Sequence, residues 1–208
     1  MPSALKSLEP PLVIRRLYRG LHGYYDLSVD EEHRILRARS SSMYGEIMPA
    51  ATEALLAHLN LGPKDVLYDL GSGLGKFIIQ AAMSHRLAKC VGIELAASRA
   101  RIAREILRDV RSAGLLKTQN VTLEEGDFMQ ADLTDATVIY TCSTAFPATL
   151  LDRMVFRLSS LKKGLILASV RDLDDNPYFE QVDELRLDMS WKRRSRVYIY
   201  RLLRSRRV

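Results

Sequence analysis

Tyr68-Asp69-Leu70-Gly71-Ser72-Gly73-Leu74-Gly75 decides the fold. It stands where an apolar run, Val66–Leu70, gives way to a helical pattern over Lys76–Ser84. Gly-x-Gly-x-Gly lets the backbone turn sharply and lets a ligand approach without meeting a Cβ. A strand that enters such a turn and leaves as a helix begins a parallel β-α-β unit, and open sheets of that kind bind ligands at the carboxyl ends of their strands. The dinucleotide spacing Gly-x-Gly-x-x-Gly is not met, because Lys76 holds its third glycine position. Asp69, a carboxylate just ahead of the glycines, suits an ammonium or sulfonium group better than a pyrophosphate. That points away from NAD and toward S-adenosylmethionine.

Outward from this turn, short β-branched runs alternate with longer helical patterns. Strands are predicted at Cys90–Glu94, Val121–Glu125, Val138–Thr141 and Leu165–Ser169, and helices at Ala97–Ala113 and Ala148–Leu161. Uniformly apolar strands between helices indicate a parallel sheet covered on both faces, an α/β Rossmann-like fold. Ile102, Ile106 and Val110 form one face of the Ala97–Ala113 helix, while Arg101, Arg104, Arg108 and Arg111 line another. Leu185–Trp191 and Val197–Leu203 have no room for a crossover helix between them, so an antiparallel hairpin closes a seven-stranded, mostly parallel sheet. Residues 1–42 read as an N-terminal helical extension, with helical stretches over Leu12–Leu21 and Val29–Arg39 and a capping box at Ser28 and Glu31. Residues 43–208 form the main domain.

Composition narrows the class. The 208 residues are 47% hydrophobic and 27% charged, a globular balance, with a net charge of +6 that suits an acidic partner. The longest apolar runs fall far short of the roughly 20 residues a membrane span needs, so no membrane association is expected. Two cysteines, Cys90 and Cys142, are too few for a disulfide scaffold. A cytoplasmic protein is the expectation, or a nuclear one in a eukaryote. The four histidines, His22, His33, His58 and His85, have no metal-site spacing, so no metal is expected.

Glu94 ends the second strand 25 residues after Asp69 and can accept both hydroxyls of a ribose. Asp127-Phe128, past the third strand, offers a carboxylate for an adenine amino group and a ring to stack on the base. Together with Met43-Tyr44-Gly45-Glu46, Gly92-Ile93-Glu94, Gly126-Asp127-Phe128 and Thr144-Ala145-Phe146, in that order, the chain resembles the disruptor-of-telomeric-silencing family of non-SET, seven-strand histone-lysine methyltransferases. The resemblance runs from about Tyr44 to Tyr200.

The resemblance implies a class I methyltransferase fold, S-adenosyl-L-methionine as cofactor with S-adenosyl-L-homocysteine as product, and a protein lysine as methyl acceptor. It implies that Tyr44 and Glu46 cover the methionine end, that Asp69, Gly71, Gly73, Gly75 and Lys76 line the methionine and ribose side, and that Glu94, Asp127 and Phe128 hold the nucleoside. Trp191 and Tyr198, with Phe146 and Tyr140, are the implied aromatic wall around the acceptor lysine, and Ser143 lies in the loop that positions its nitrogen. The sequence departs from the family at that loop, where Cys142-Ser143 replaces a pair of asparagines, and at Lys76, which replaces a glutamine.

Trp191–Val208 carries eight cations and no acidic residue, so contact with phosphate or an acidic protein patch is expected there. Two alternatives stay open: an RNA or small-molecule methyltransferase, and a non-catalytic binding module on the same fold. The loop Cys142–Pro147 lacks the Asp/Asn-Pro-Pro-aromatic element of enzymes that act on exocyclic base amines.

Overall fold

The computed structural model describes residues 5–21, 23, 27–174 and 176–206. Its centre is a seven-stranded sheet in the order β3-β2-β1-β4-β5-β7-β6, built from β1 (Val66–Leu70), β2 (Lys89–Glu94), β3 (Val121–Glu125), β4 (Val138–Thr141), β5 (Ile166–Ser169), β6 (Phe179–Leu187) and β7 (Ser195–Leu202). The first five strands pair in parallel, while β7 runs antiparallel to both β5 and β6. Strand order reverses between β1 and β4, so a crevice opens at their carboxyl ends. The glycine turn lies at that point.

Alternation along the strands splits the core into two layers. Leu67, Cys90, Val138, Tyr140, Val197 and Ile199 face one side, together with residues of α1 (Pro10–Leu17), α3 (Pro49–Leu59), α4 (Lys76–Ser84) and α5 (Ala97–Ser112). Tyr68, Leu70, Val91, Ile139, Tyr198 and Tyr200 face the other, with α6 (Ala148–Leu158). The apolar residues of α4 are buried all round, Phe77 through Met83, and each fully buried Ile or Phe contributes roughly 2–3 kcal/mol. α2 (Val29–Arg37) carries the predicted capping box: the Ser28 hydroxyl accepts from Glu31 N, and the Glu31 carboxylate accepts from Ser28 N.

Several boundaries differ from the sequence reading. α1 begins at Pro10 rather than Leu12, because Pro10 and Pro11 occupy first-turn positions where a missing N–H costs nothing. β6 starts at Phe179 and stops at Leu187, so Trp191 lies in the turn and not on a strand. The start of β6 was hidden because it is an edge strand whose exposed Glu180, Gln181 and Asp183 look like loop residues, with a register shift between Gln181 and Asp183. The basic segment does not form one patch. Lys192, Arg193 and Arg194 sit at the hairpin tip, whereas Arg204 lies over the Tyr178 ring and Arg206 over the Phe156 ring at the far end of a strand roughly 25 Å long. Arg207, like His22, lies outside the described residues. No helix among the described residues is long and apolar enough to cross a membrane.

Candidate active site

The turn after β1 is held from beneath. The amides of Gly71 and Ser72 both donate to the Ile93 carbonyl, 2.9 and 3.0 Å away. Gly73 N donates to Glu94 Oε2 at 2.8 Å, and Ala96 N to Glu94 Oε1 at 2.9 Å. Glu94 is thus built into the bend, with two lone-pair sites of its carboxylate still unused and the side chain facing a cavity of about 340 Å³. At Gly73, φ is +55° and a Cβ would fall 2.6 Å from the Tyr44 ring, so only glycine fits. Gly71 and Gly73 line the cavity; Gly75 does not. Gly75 serves packing instead, since a Cβ there would meet Leu123 at 2.8 Å and Ala103 at 3.0 Å.

Below the bend lies a smaller recess lined by Asp69, Lys76, Glu46, Tyr140 and Cys142. Asp69 is 3% exposed and its Oδ1 has no hydrogen-bond partner. Burial, and then the nearby Glu94 charge, pushes its carboxyl well above the usual range. An unpartnered buried carboxylate is a ready receptor for a cationic ligand group. Lys76 is already engaged: its ammonium donates to Glu46 Oε1 at 2.6 Å and lies 5.0 Å from the centre of the Tyr18 ring. Tyr44 completes the cluster by donating to Glu46 Oε2 at 2.8 Å. Burial raises the Cys142 thiol to about 12, with the Asp69 charge adding to it, so Cys142 is a neutral thiol rather than a nucleophile.

The opposite end of the cavity is apolar and aromatic. Phe128 and Phe146 stack with ring centres 5.6 Å apart and an angle of 24° between them. Asp127 stands beside them on the cavity wall, with Oδ1 accepting from Met129 N at 2.8 Å. Asp69, Glu94 and Asp127 therefore follow one another along the carboxyl ends of β1, β2 and β3.

The N-terminal segment forms the outer wall. Ile35 and Ala38 of the α2 region and residues 40, 41 and 43–45 line the cavity. α2 is docked by Arg34, which bonds the Leu95 carbonyl and Glu125, and by Glu31, whose Oε1 accepts from Ser98 N at 2.6 Å. Partial burial acts to raise the Glu31 carboxyl, but hydrogen bonds from Ser28 and Ser98 outweigh it and bring it down to about 2. A depressed folded value means this contribution is complete above the ordinary 4.5 and is lost as pH falls toward 2. The amide resonance of Ser98 is therefore expected to titrate with a midpoint near 2, and Glu31→Gln should remove that step. A midpoint near 4.5 would show that the docking bond is not made.

On the acceptor side the expected residues divide. Trp191 is 39% exposed at the rim of the cavity, with its ring so close over Gly45 that a Cβ there would sit 2.5 Å away. Phe146 and Thr144 also line the cavity. Ser143 does not: it is fully buried, with its hydroxyl 3.0 Å from that of Ser169, because the short 3-10 turn at Ser143–Ala145 points it into the sheet. Tyr198 is also turned away. Strand alternation places it beside Tyr200, ring centres 6.2 Å apart, in the layer under α6. Tyr140 packs flat on Phe77 at 4.1 Å and reaches the lower recess rather than the acceptor rim.

A match to the family described as histone methylation protein DOT1 covers residues 25–200. The chain belongs to the DOT1 family. Curated relatives include the H3 lysine-79-specific histone-lysine N-methyltransferases of Caenorhabditis elegans, 32% identical over 152 residues, and Drosophila melanogaster, 29% identical over 172 residues. These alignments take in 66% and 79% of this chain but only 15% and 9% of the relatives. The chain spans a small part of the proteins it matches. Among solved structures, an RNA methyltransferase from Salinibacter ruber in complex with S-adenosyl-L-homocysteine aligns with a TM-score of 0.59 at 24% identity, over 76% of this chain and 94% of that one. Magnesium protoporphyrin IX methyltransferase from Synechocystis gives 0.59 at 15% identity, over 94% and 98%. At these identities the likeness establishes the class I methyltransferase fold.

In this DOT1 chain two residues that the sequence reading passed over shape the cleft. Arg34 fastens α2 across the ends of β2 and β3. Arg99 lies buried at the start of α5 among carbonyls of the N-terminal segment. Neither carries a local signal, since Arg34 has the look of an ordinary last-turn cation on α2 and Arg99 belongs to a helix already rich in exposed arginines.

Proposed function

We propose that the chain is an S-adenosyl-L-methionine-dependent methyltransferase that modifies a lysine side chain of a protein. The observation that carries this reading is the row of three carboxylates beside the glycine turn, Glu94 and Asp127 on the cavity and Asp69 in the recess that shares Tyr44, Gly71 and Gly73 with it. The residues fit the cofactor: Asp69 offers an orphaned buried oxygen to its ammonium, Glu94 two unused lone-pair sites to its ribose, and Asp127 with Phe128 an acceptor and a ring to its adenine. When bound, the cofactor supplies an electrophilic methyl group on a sulfonium. Tyr44 and Glu46 close the methionine end, and the segment before them excludes water. Trp191, Phe146 and Met43 form an apolar rim through which an acceptor lysine is guided and desolvated, holding its nitrogen in line for transfer.

Family membership favours a protein acceptor over RNA. The curated relatives named above are histone enzymes, and we extend that class, a protein bearing a target lysine, to this chain. A histone acceptor places the protein in a nucleus, and the comparisons give the cytoplasmic expectation no support. We take the working unit to include α2 as well as the domain expected over residues 43–208, a reading supported by Ile35 on the cavity wall. The hairpin tip with Lys192, Arg193 and Arg194 adjoins Trp191, and we assign it contact with acidic protein or phosphate groups near the acceptor.

The test is transfer of a labelled methyl group to histones and to fractionated lysate, read as methyl-lysine after hydrolysis. Label removed by protease and resistant to nuclease is expected. Label removed by nuclease would make the chain an RNA or DNA enzyme, and binding without transfer a module. Trp191→Ala is expected to lower transfer at least tenfold, through lost acceptor alignment, while cofactor affinity changes less than about twofold. An equal loss in both would remove Trp191 from the acceptor channel.

A further inference from the structure

Arg99 is 4% exposed, and buried arginines are rare unless paired. Its Nε donates to the Gly23 carbonyl and its Nη2 to the Ser42 carbonyl, both at 2.9 Å. The guanidinium carbon lies 5.0 Å from the centre of the Tyr44 ring. That ring is packed against Gly23 and Gly73 so closely that a Cβ at either would overlap it. Among the described residues the anion that pairs with it is Glu94, whose Oε1 stands 3.9 Å from Arg99 Nη1, at the outer limit of an ion pair. The desolvated cation thus depends chiefly on groups of the segment that walls the cleft.

Withdrawing that segment leaves Arg99 with Glu94 alone. A guanidinium freed from two carbonyls moves onto the nearest carboxylate. Glu94 already accepts from Gly73 N and Ala96 N, so a third and fourth donor from Arg99 would fill the lone pairs a ribose diol needs. With the segment down, Arg99 is drawn to Gly23 and Ser42, and Glu94 keeps its free lone pairs. We propose that Arg99 is a positioning residue that couples closure of the N-terminal wall to ribose recognition by Glu94, so that a nucleoside is gripped only when the wall is shut. The coupling is reciprocal: a bound ribose equally favours closure. This rests on the reading of the cleft as an adenosyl site and names a regulator of it.

The experiment is a cycle of two ligands and four proteins. S-adenosyl-L-homocysteine and its 2′-deoxy analogue are titrated by calorimetry into wild type, Arg99→Ala and Arg34→Ala, with the double variant as the control. Wild type is expected to prefer the ribose form by about tenfold or more, as for a hydrogen bond to a charged acceptor shielded from water. In Arg99→Ala nothing can fill the free lone pairs of Glu94, so the preference should stay within about threefold of wild type. Arg34→Ala, titrated in the same way, undocks α2 from the Leu95 carbonyl and Glu125 and lets Arg99 turn onto Glu94, so there the preference should shrink to less than about threefold, and adding Arg99→Ala to it should restore the preference. Arg99→Lys in place of the alanine serves if that variant does not fold. A preference unchanged in Arg34→Ala, or lost there and not restored by removing Arg99, would make Arg99 a merely structural residue and overturn the proposal. Failure of wild type to bind either ligand would sink the adenosyl reading itself and this proposal with it.

Discussion

Asp69→Asn should cost the protein its cofactor and none of its stability. The carboxylate is buried, its Oδ1 has no partner, and burial together with Glu94 holds its pKa well above the usual range. Such a group opposes folding, so the isosteric amide is expected to leave the melting temperature of the empty protein unchanged or to raise it by about 2–4 °C. The same change deletes the carboxylate in the recess that has an unpartnered oxygen for an ammonium, the other, Glu46, being bonded to Lys76 and Tyr44, and charge-assisted hydrogen bonds contribute enough for affinity to fall about 100-fold. The pH dependence follows from the same group. A cationic ligand needs the ionised carboxylate and competes with the proton, so wild-type affinity should weaken as pH is lowered toward the raised Asp69 value. In Asp69→Asn that slope should be absent. Calorimetric titration across pH, with thermal melts of the empty proteins, measures both; a variant that melts earlier yet binds normally would contradict the role assigned to Asp69.

Glu94→Ala is expected to do the opposite to stability. It strips acceptors from Gly73 N and Ala96 N and removes the anion nearest to Arg99, whose side chain is 5% exposed. Removing one partner from a buried charged cluster costs about 3–5 kcal/mol, which lowers the melting temperature of a domain this size by roughly 10 °C or more. Cofactor binding should disappear with the bend that Glu94 holds. Glu94→Gln should be milder, because the amide keeps one acceptor oxygen while its NH2 opposes the second backbone donor. A Glu94→Ala protein as stable as wild type would show that the glycine bend supports itself.

The contrast between these carboxylates explains what the sequence could and could not reveal. Asp69 and Glu94 announce themselves because the chemistry is local: a strand end, a glycine run and an acidic residue at fixed spacing. The parallel strands and the closing antiparallel pair are legible for the same reason, since an apolar run such as Val66–Leu70 or Val138–Thr141 is a property of a few neighbouring residues, whereas the order of the strands in the sheet depends on distant pairing. The limits appear where meaning depends on distant partners. Arg99 looks like one more member of the arginine stripe formed by Arg101, Arg104, Arg108 and Arg111, yet its partners are carbonyls 76 and 57 residues away. Tyr198 and Ser143 have the residue types expected of an acceptor channel, but the strand phase of one and the 3-10 turn of the other aim them into the core. The start of β6 was missed because an edge strand is polar where a buried one is not.

Calorimetric titration of S-adenosyl-L-methionine into the purified chain tests the central claim most directly. A saturable isotherm with one site per chain is expected, accompanied by an upward shift in melting temperature that grows with ligand concentration. Flat heats and an unmoved melting curve at millimolar ligand would contradict it.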